Sequence, residues 1–279
     1  MVPRCAVPGL STLRTDPALE KELPGLPVTI RTLDLGGDKQ PRFLGARFEP
    51  NPALGERGLR FSLAEEEMFS TQLKAILRAG RTEQVRVLFP MVFDSSDFRR
   101  AVAYLEDLAS EMDVEPPPAG ALIEAPSSLF DLDAIAESAD FLSIGTNDLV
   151  QYMLASDRQT EELIDQESVL HPSVLRAISK IQQVAAKHRK PVSVCGEAAG
   201  EPALACLLVG LGLRILSMSP VRSVRVRYTL LSASLQTLEK VAQEALRCTN
   251  KREVLDLMRQ AGVGSVDGSG KQSGNVHTK

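Results

Sequence analysis

Short apolar, β-branched runs alternate with longer stretches of helical periodicity along most of the chain. Alternation of this kind is the pattern of repeated βα units around a parallel sheet. It predicts strands at Pro27 to Thr32, Val85 to Met91, Ala119 to Glu124, Asp140 to Ile144, Pro191 to Val194 and Arg214 to Leu216. Helices are predicted at Ala64 to Ala79, Ser96 to Ser110, Ser127 to Ser138, Pro172 to Lys187, Pro202 to Gly210 and, as a C-terminal group, Pro220 to Gln260. Even spacing over about 250 residues predicts a (β/α)8 TIM-type barrel. A doubly wound open sheet is the rival arrangement.

The pattern sets the domain boundaries. Residues 1–26 carry Pro3, Pro8, Pro17 and Pro24 and only a short helical run, so they read as an irregular lead-in. Residues 27–261 are the barrel. From Gly262 the chain turns rich in Gly, Ser and Lys and poor in apolar residues, so residues 262–279 read as a disordered tail.

Composition removes several classes of function. The chain has 279 residues, 43% of them hydrophobic, and 32 Lys and Arg against 36 Asp and Glu, a formal charge of -4. That balance gives no general attraction to a phosphate backbone or an anionic membrane, and with no Trp and three Tyr there is little to stack on bases. Nucleic acid is therefore not an expected partner. No apolar run approaches the ~20 residues of a membrane span, so a cytoplasmic protein is expected. Cys5, Cys195, Cys206 and Cys248 form no CxxC pair and share no metal-ligand spacing with the three histidines.

The chemistry gathers at the predicted strand ends. These read Arg31-Thr-Leu-Asp34-Leu-Gly-Gly-Asp38-Lys39, Ile123-Glu124-Ala125-Pro126, Ile144-Gly145-Thr146-Asn147-Asp148 and Val194-Cys195-Gly196-Glu197. In a barrel all of them face one mouth. Glu124 and Asp148 follow neighbouring strands, and two convergent carboxylates suit a hard cation such as Mg²⁺, which takes one or two carboxylates plus water and substrate oxygens. Either carboxylate could instead cap the helix that follows it. Arg31, Arg57 and Arg158 supply planar forks for phosphate or carboxylate, though a lone arginine is more commonly a surface ion pair. Cys195, between an apolar strand and Gly196, suits a general acid or a nucleophile, while Cys206 and Cys248 on helices read as structural. His171 precedes a helix-starting proline, His188 ends a helix and His277 lies in the tail, so none reads as catalytic.

These motifs, with Asn51-Pro-Ala-Leu-Gly-Glu56-Arg57-Gly-Leu-Arg60, Gln72 to Ala79, Leu88-Phe-Pro-Met91, Ser143 to Tyr152, Cys195-Gly-Glu-Ala-Ala-Gly200 and Leu216-Ser-Met-Ser-Pro220, closely resemble the C-terminal phosphoenolpyruvate-binding barrel of enzyme I of the phosphotransferase system. The resemblance runs from about Pro27 to about Leu246. It implies that Glu124 and Asp148 hold Mg²⁺, that Arg31, Arg57, Asn147, Asp148 and Arg158 hold phosphoenolpyruvate, and that Cys195 delivers a proton to the methylene carbon of the enolpyruvate. It also implies a homodimer, and a phosphohistidine domain or histidine-containing phosphocarrier protein acting in trans, since no stretch here matches the family's acceptor domain. The family's first barrel strand has no match either, so the expected fold is a (β/α)8 barrel lacking that strand. Glu56 stands where the family usually has an aromatic residue. The barrel of pyruvate phosphate dikinase or phosphoenolpyruvate synthase, and a non-catalytic phosphoenolpyruvate-binding remnant, are the alternatives.

Overall fold

The computed structural model describes residues 27–34, 51–81, 84–157 and 166–263. Six strands form one sheet: β1 (Val28–Arg31), β2 (Val85–Phe89), β3 (Ala119–Ile123), β4 (Phe141–Gly145), β5 (Val192–Cys195) and β6 (Ile215–Leu216). Their order in space is their order in sequence, and all five pairings are parallel. Every predicted strand is present, with ends within two residues.

This order speaks against the doubly wound rival. A doubly wound sheet reverses its strand order at a switch point and carries helices on both faces. Here no reversal occurs, and the two faces differ. Val87, Phe89, Ala121, Ile123, Leu142, Ile144, Val192 and Val194 point into the large core shared with the helices. Their neighbours Leu88, Leu122 and Phe141 form a small separate cluster on the other face, with Cys195 against it. A parallel sheet in sequential order with helices on one side and a narrow apolar layer on the other forms the arc of a half-barrel. Among the described residues, β1 and β6 are each paired on one side only.

The helices follow sequence chemistry closely. Helix α2 (Glu66–Ala79) is the helix predicted from Ala64, and α1 (Gly58–Ala64), separated from it at Glu65, was not predicted. Asp94 opens α3 (Ser95–Glu111) by accepting from the backbone N–H groups of Ser96 and Asp97 at 2.8 and 2.9 Å. A 3₁₀ turn (Pro126–Phe130) precedes α4 (Leu132–Ser138). Helix α5 (Thr146–Leu154) was not predicted, because its polar start reads as a loop. Helix α6 (Pro172–Lys187) starts on proline, whose missing N–H is one a first turn leaves unused. Next come α7 (Pro202–Gly210) and α8 (Pro220–Leu231), then α9 (Leu235–Ala245) and α10 (Lys251–Gln260), so the C-terminal group is three helices. Three phenylalanines anchor the core, with Phe89 edge-on to Phe69 and Phe98 at centroid distances of 6.1 and 6.0 Å.

Helix α8 leaves most of its apolar residues outward. Val226 and Thr229 are buried, but Val221, Val224, Tyr228 and Leu231 stand outward at 84, 71, 64 and 78% exposure. No helix among the described residues is long and apolar enough to cross a membrane.

Candidate active site at the carboxyl ends of the strands

Parallel strands place all their carboxyl ends on one edge, and the predicted residues arrive there by different routes. Arg31 is the last residue of β1, Glu124 follows β3, Asn147 and Asp148 lie in the first turn of α5 just after β4, and Cys195 ends β5. The β3–β4 register, Ile123 opposite Ile144, sets Glu124 level with Gly145. A Cβ at Gly145 would lie 2.4 Å from Glu124 Oε2, so the absence of a side chain there makes room for the carboxylate. Gly196 has φ +114°, and a Cβ on it would meet Thr146 Oγ1 at 2.3 Å. Only glycine lets the β5 loop approach the start of α5 in this conformation. Across that contact the Asn147 side-chain oxygen accepts the Glu197 backbone N–H at 3.3 Å.

Arg57 is the hub of the charged cluster. Its Nε and Nη2 grip Asp34 in a fork at 3.2 and 2.7 Å, while Nη1 reaches Asp148 at 3.1 Å and the Tyr152 hydroxyl at 2.9 Å. Four of the five N–H bonds of a guanidinium are thereby engaged. Burial works against the Arg57 charge, but the Asp34 hydrogen bonds and the charges of Asp34 and Asp148 outweigh it and raise the pKa above the usual arginine value. Arg31 is more open, with Nη1 3.6 Å from Asp34.

Glu124 is almost fully buried. Its Oε1 accepts the Met91 backbone N–H at 2.8 Å. Burial, then repulsion from Asp148, push its pKa up to about 8, and the Met91 bond only partly opposes them. Burial likewise raises the Cys195 thiol above its ordinary value. Among the described residues no group of three His, Cys, Asp or Glu is gathered to hold a metal, so a closed structural metal centre is absent from them. The Glu124 and Asp148 pair is instead an all-oxygen set under mutual repulsion, which fits a hard cation completing its shell from water and substrate.

A cleft of about 280 Å³ borders this cluster, lined by Arg57, Arg60, Met91, Phe93, Pro126, Tyr152 and their neighbours. It shares Arg57 and Tyr152 with the charged network but does not include the carboxylates. Arg60 lies over the Phe93 ring at 3.5 Å, closing one wall.

Comparison with known proteins resolves what this edge belongs to. Residues 17–235 match the family model described as PEP-utilising enzyme, PEP-binding domain, where PEP is phosphoenolpyruvate. The chain belongs to the PEP-utilising enzymes. It is 42% identical over 240 residues to a multiphosphoryl transfer protein of Rhodobacter capsulatus, covering 86% of this chain and 29% of that protein. It is 40% identical over 244 residues to a phosphoenolpyruvate-protein phosphotransferase of Cupriavidus necator, covering 85% of this chain and 42% of that protein. The chain thus spans less than half the length of these relatives. A solved citrate lyase structure from Burkholderia xenovorans LB400 covers 69% of this chain and 68% of its own at 18% identity and a TM-score of 0.49, too distant a likeness to carry an argument.

Within this member of the PEP-utilising family, Arg31, Arg57, Glu124, Asn147, Asp148 and Cys195 converge on one edge of the sheet. Arg158 lies outside the described residues. Two members of the cluster were not singled out from sequence, Asp34 and Tyr152, both of which hold Arg57. Asp34 stands inside the Arg31 to Lys39 motif and Tyr152 one turn after Asp148, so adjacency to assigned residues was the available signal. Cys206 is buried on α7, whereas Cys248, predicted on a helix, lies just past the end of α9 and packs beside the core. His171 caps α6 through Ser173, and His188 bonds Asp133 at 2.8 Å.

Proposed function

We propose that this chain binds phosphoenolpyruvate in the presence of Mg²⁺ and serves phosphoryl transfer from it to a histidine of a protein. The observation that carries this reading is the meeting of two buried, mutually repelling carboxylates with two arginines and a thiol at one sheet edge. Arg31, the N–H of Arg57 left over by its partners, and Arg158 would hold the phosphate and carboxylate of the ligand. Asn147 would join them. Glu124 and Asp148 would hold the cation, which when bound supplies neutralisation of charge on the transferring group. In the transfer, the bond from phosphorus to the enol oxygen breaks, a bond to the acceptor nitrogen forms, and the Cys195 thiol gives its proton to the methylene carbon, leaving pyruvate. Binding at Asp148 competes with Arg57 Nη1, so loading the site would release that N–H toward the ligand.

The acceptor histidine would come from another domain or protein, because His171 and His188 are committed to helix ends. The fold implied is a (β/α)8-type barrel lacking its first strand. The exposed apolar stripe of α8 fits a face that a second copy in a homodimer would cover.

Calorimetric titration with phosphoenolpyruvate, with and without Mg²⁺, tests the reading. Metal-dependent binding that disappears in Asp148→Ala, with the variant's unfolding transition retained, is expected. Binding unchanged in Asp148→Ala would remove the carboxylate pair from the site.

A further inference from the structure

The inner face of β4 and β5 carries a polar feature that the proposed reaction has not used. Ser143, Ser193 and Cys195 all point to this face, opposite the large core that takes their neighbours Leu142, Ile144, Val192 and Val194. Their side chains are linked in one direction. Ser193 Oγ donates to Ser143 Oγ at 3.0 Å, and Ser143 Oγ donates to Cys195 Sγ at 3.6 Å. Cys195 Sγ in turn donates to the Ile144 carbonyl at 3.4 Å. The two longer distances suit the larger radius of sulfur. Ser143 is buried and the other two are half-buried, so water does not readily replace these bonds.

We propose that Ser143 and Ser193 are positioning residues for the Cys195 thiol. This rests on the reading of Cys195 as the proton donor to the enolpyruvate carbon. The S–H of a cysteine turns readily about the Cβ–Sγ bond, and in the resting arrangement its hydrogen is spent on the Ile144 carbonyl, away from any substrate. To deliver the proton, the S–H must turn off that carbonyl while the sulfur stays in place. The Ser143 hydroxyl is the group that can hold the sulfur, because it bonds sulfur and not the hydrogen. Once the proton has left, the same hydroxyl faces a thiolate, and a hydrogen bond to an ionised acceptor is roughly twice as strong as a neutral one. Ser193 acts only through Ser143. By occupying a lone pair of Ser143 Oγ it leaves that hydroxyl's hydrogen to point at sulfur, and aligned donors strengthen one another. The charged groups that also act on the sulfur, Glu124 after β3, once ionised, and Arg31 on β1, are of opposite sign and remain in place when either serine is changed.

The test reads the thiol directly and needs no phosphoenolpyruvate, so it stands apart from the failure of the binding experiment. Alkylation of Cys195 by iodoacetamide in the full chain is followed by mass spectrometry of its peptide between pH 6 and 10. Ser143→Ala is expected to slow alkylation at pH 8 by about 5- to 10-fold and to move the midpoint of the profile upward, since the thiolate loses its donor. Ser193→Ala is expected to slow it about 2- to 3-fold, and Ser193→Thr, which keeps the hydroxyl, to restore it. The double variant should match Ser143→Ala alone. Profiles unchanged by Ser143→Ala, or an added effect of Ser193→Ala in the double variant, would overturn the proposal. Should Ser143→Ala fail to fold, the Ser193→Ala and Ser193→Thr pair decides it, because equal rates in those two exclude action through the hydroxyl.

Discussion

Replacing Glu124 with Gln should make the metal-free chain more stable in alkaline solution while destroying the proposed site. The carboxyl is buried and its pKa stands at about 8 against an ordinary 4.5. The folded chain therefore holds a proton that the unfolded chain has released throughout that interval. Where the native state binds more protons, stability falls as pH rises, so wild type should lose stability from pH 4.5 to pH 8 and level off above. At 1.36 kcal/mol per decade the whole interval sets a ceiling of about 5 kcal/mol. Gln keeps the acceptor for the Met91 N–H and carries no charge to repel Asp148, so its stability should not follow this slope. The difference between variant and wild type should grow by about 2–3 kcal/mol between pH 6 and pH 8, the two decades over which only the folded carboxyl is protonated. Urea denaturation with a chelator present, at several pH values, measures it. Parallel curves for the two proteins would refute the reasoning, and would mean that Glu124 is hydrated or paired in solution.

Other expectations follow from the same geometry. Arg57→Ala leaves the Asp34 carboxylate buried without its fork and should cost about 3–5 kcal/mol in chemical denaturation, with Arg57→Lys falling short of rescue because a point charge cannot span both oxygens. Gly145→Ala should displace the Glu124 carboxylate and abolish metal-dependent binding in calorimetry, with about 1–3 kcal/mol lost to overpacking; retained binding would mean that the carboxylate has another seat. Phe89→Ala, which removes the ring between Phe69 and Phe98, should lower stability by about 3–5 kcal/mol without changing the pH dependence assigned to Glu124.

The strands were legible because each is a short run of apolar residues bounded by charge or proline, a signal that depends on local composition alone. Helix α5 was not, since Gly145-Thr-Asn-Asp148 has the composition of a loop, and its helical register becomes fixed only through Leu149 and Val150 in the core. Helix α2 was seen within two residues, but α1 was not, because its seven residues follow a stretch whose glycines and proline have the composition of a loop. At the site, Glu124 and Cys195 could be read from their position directly after apolar runs. Asp34 and Tyr152 could not, because their work is to hold Arg57 across 23 and 95 residues of sequence. Pairwise contacts between polar side chains leave no periodic trace.

The sequential strand order has a further meaning for how the molecule comes together. Each strand meets only its neighbours in the sequence, so the six form a ladder in which every rung can be laid after the one before it. Losing a unit from either end would break one pairing, whereas losing one from the middle would break two and separate Arg31 of β1 from the thiol of β5. The chemistry is therefore most sensitive to the interior rungs, β3 and β4, which carry the two carboxylates and set the distance between the ends.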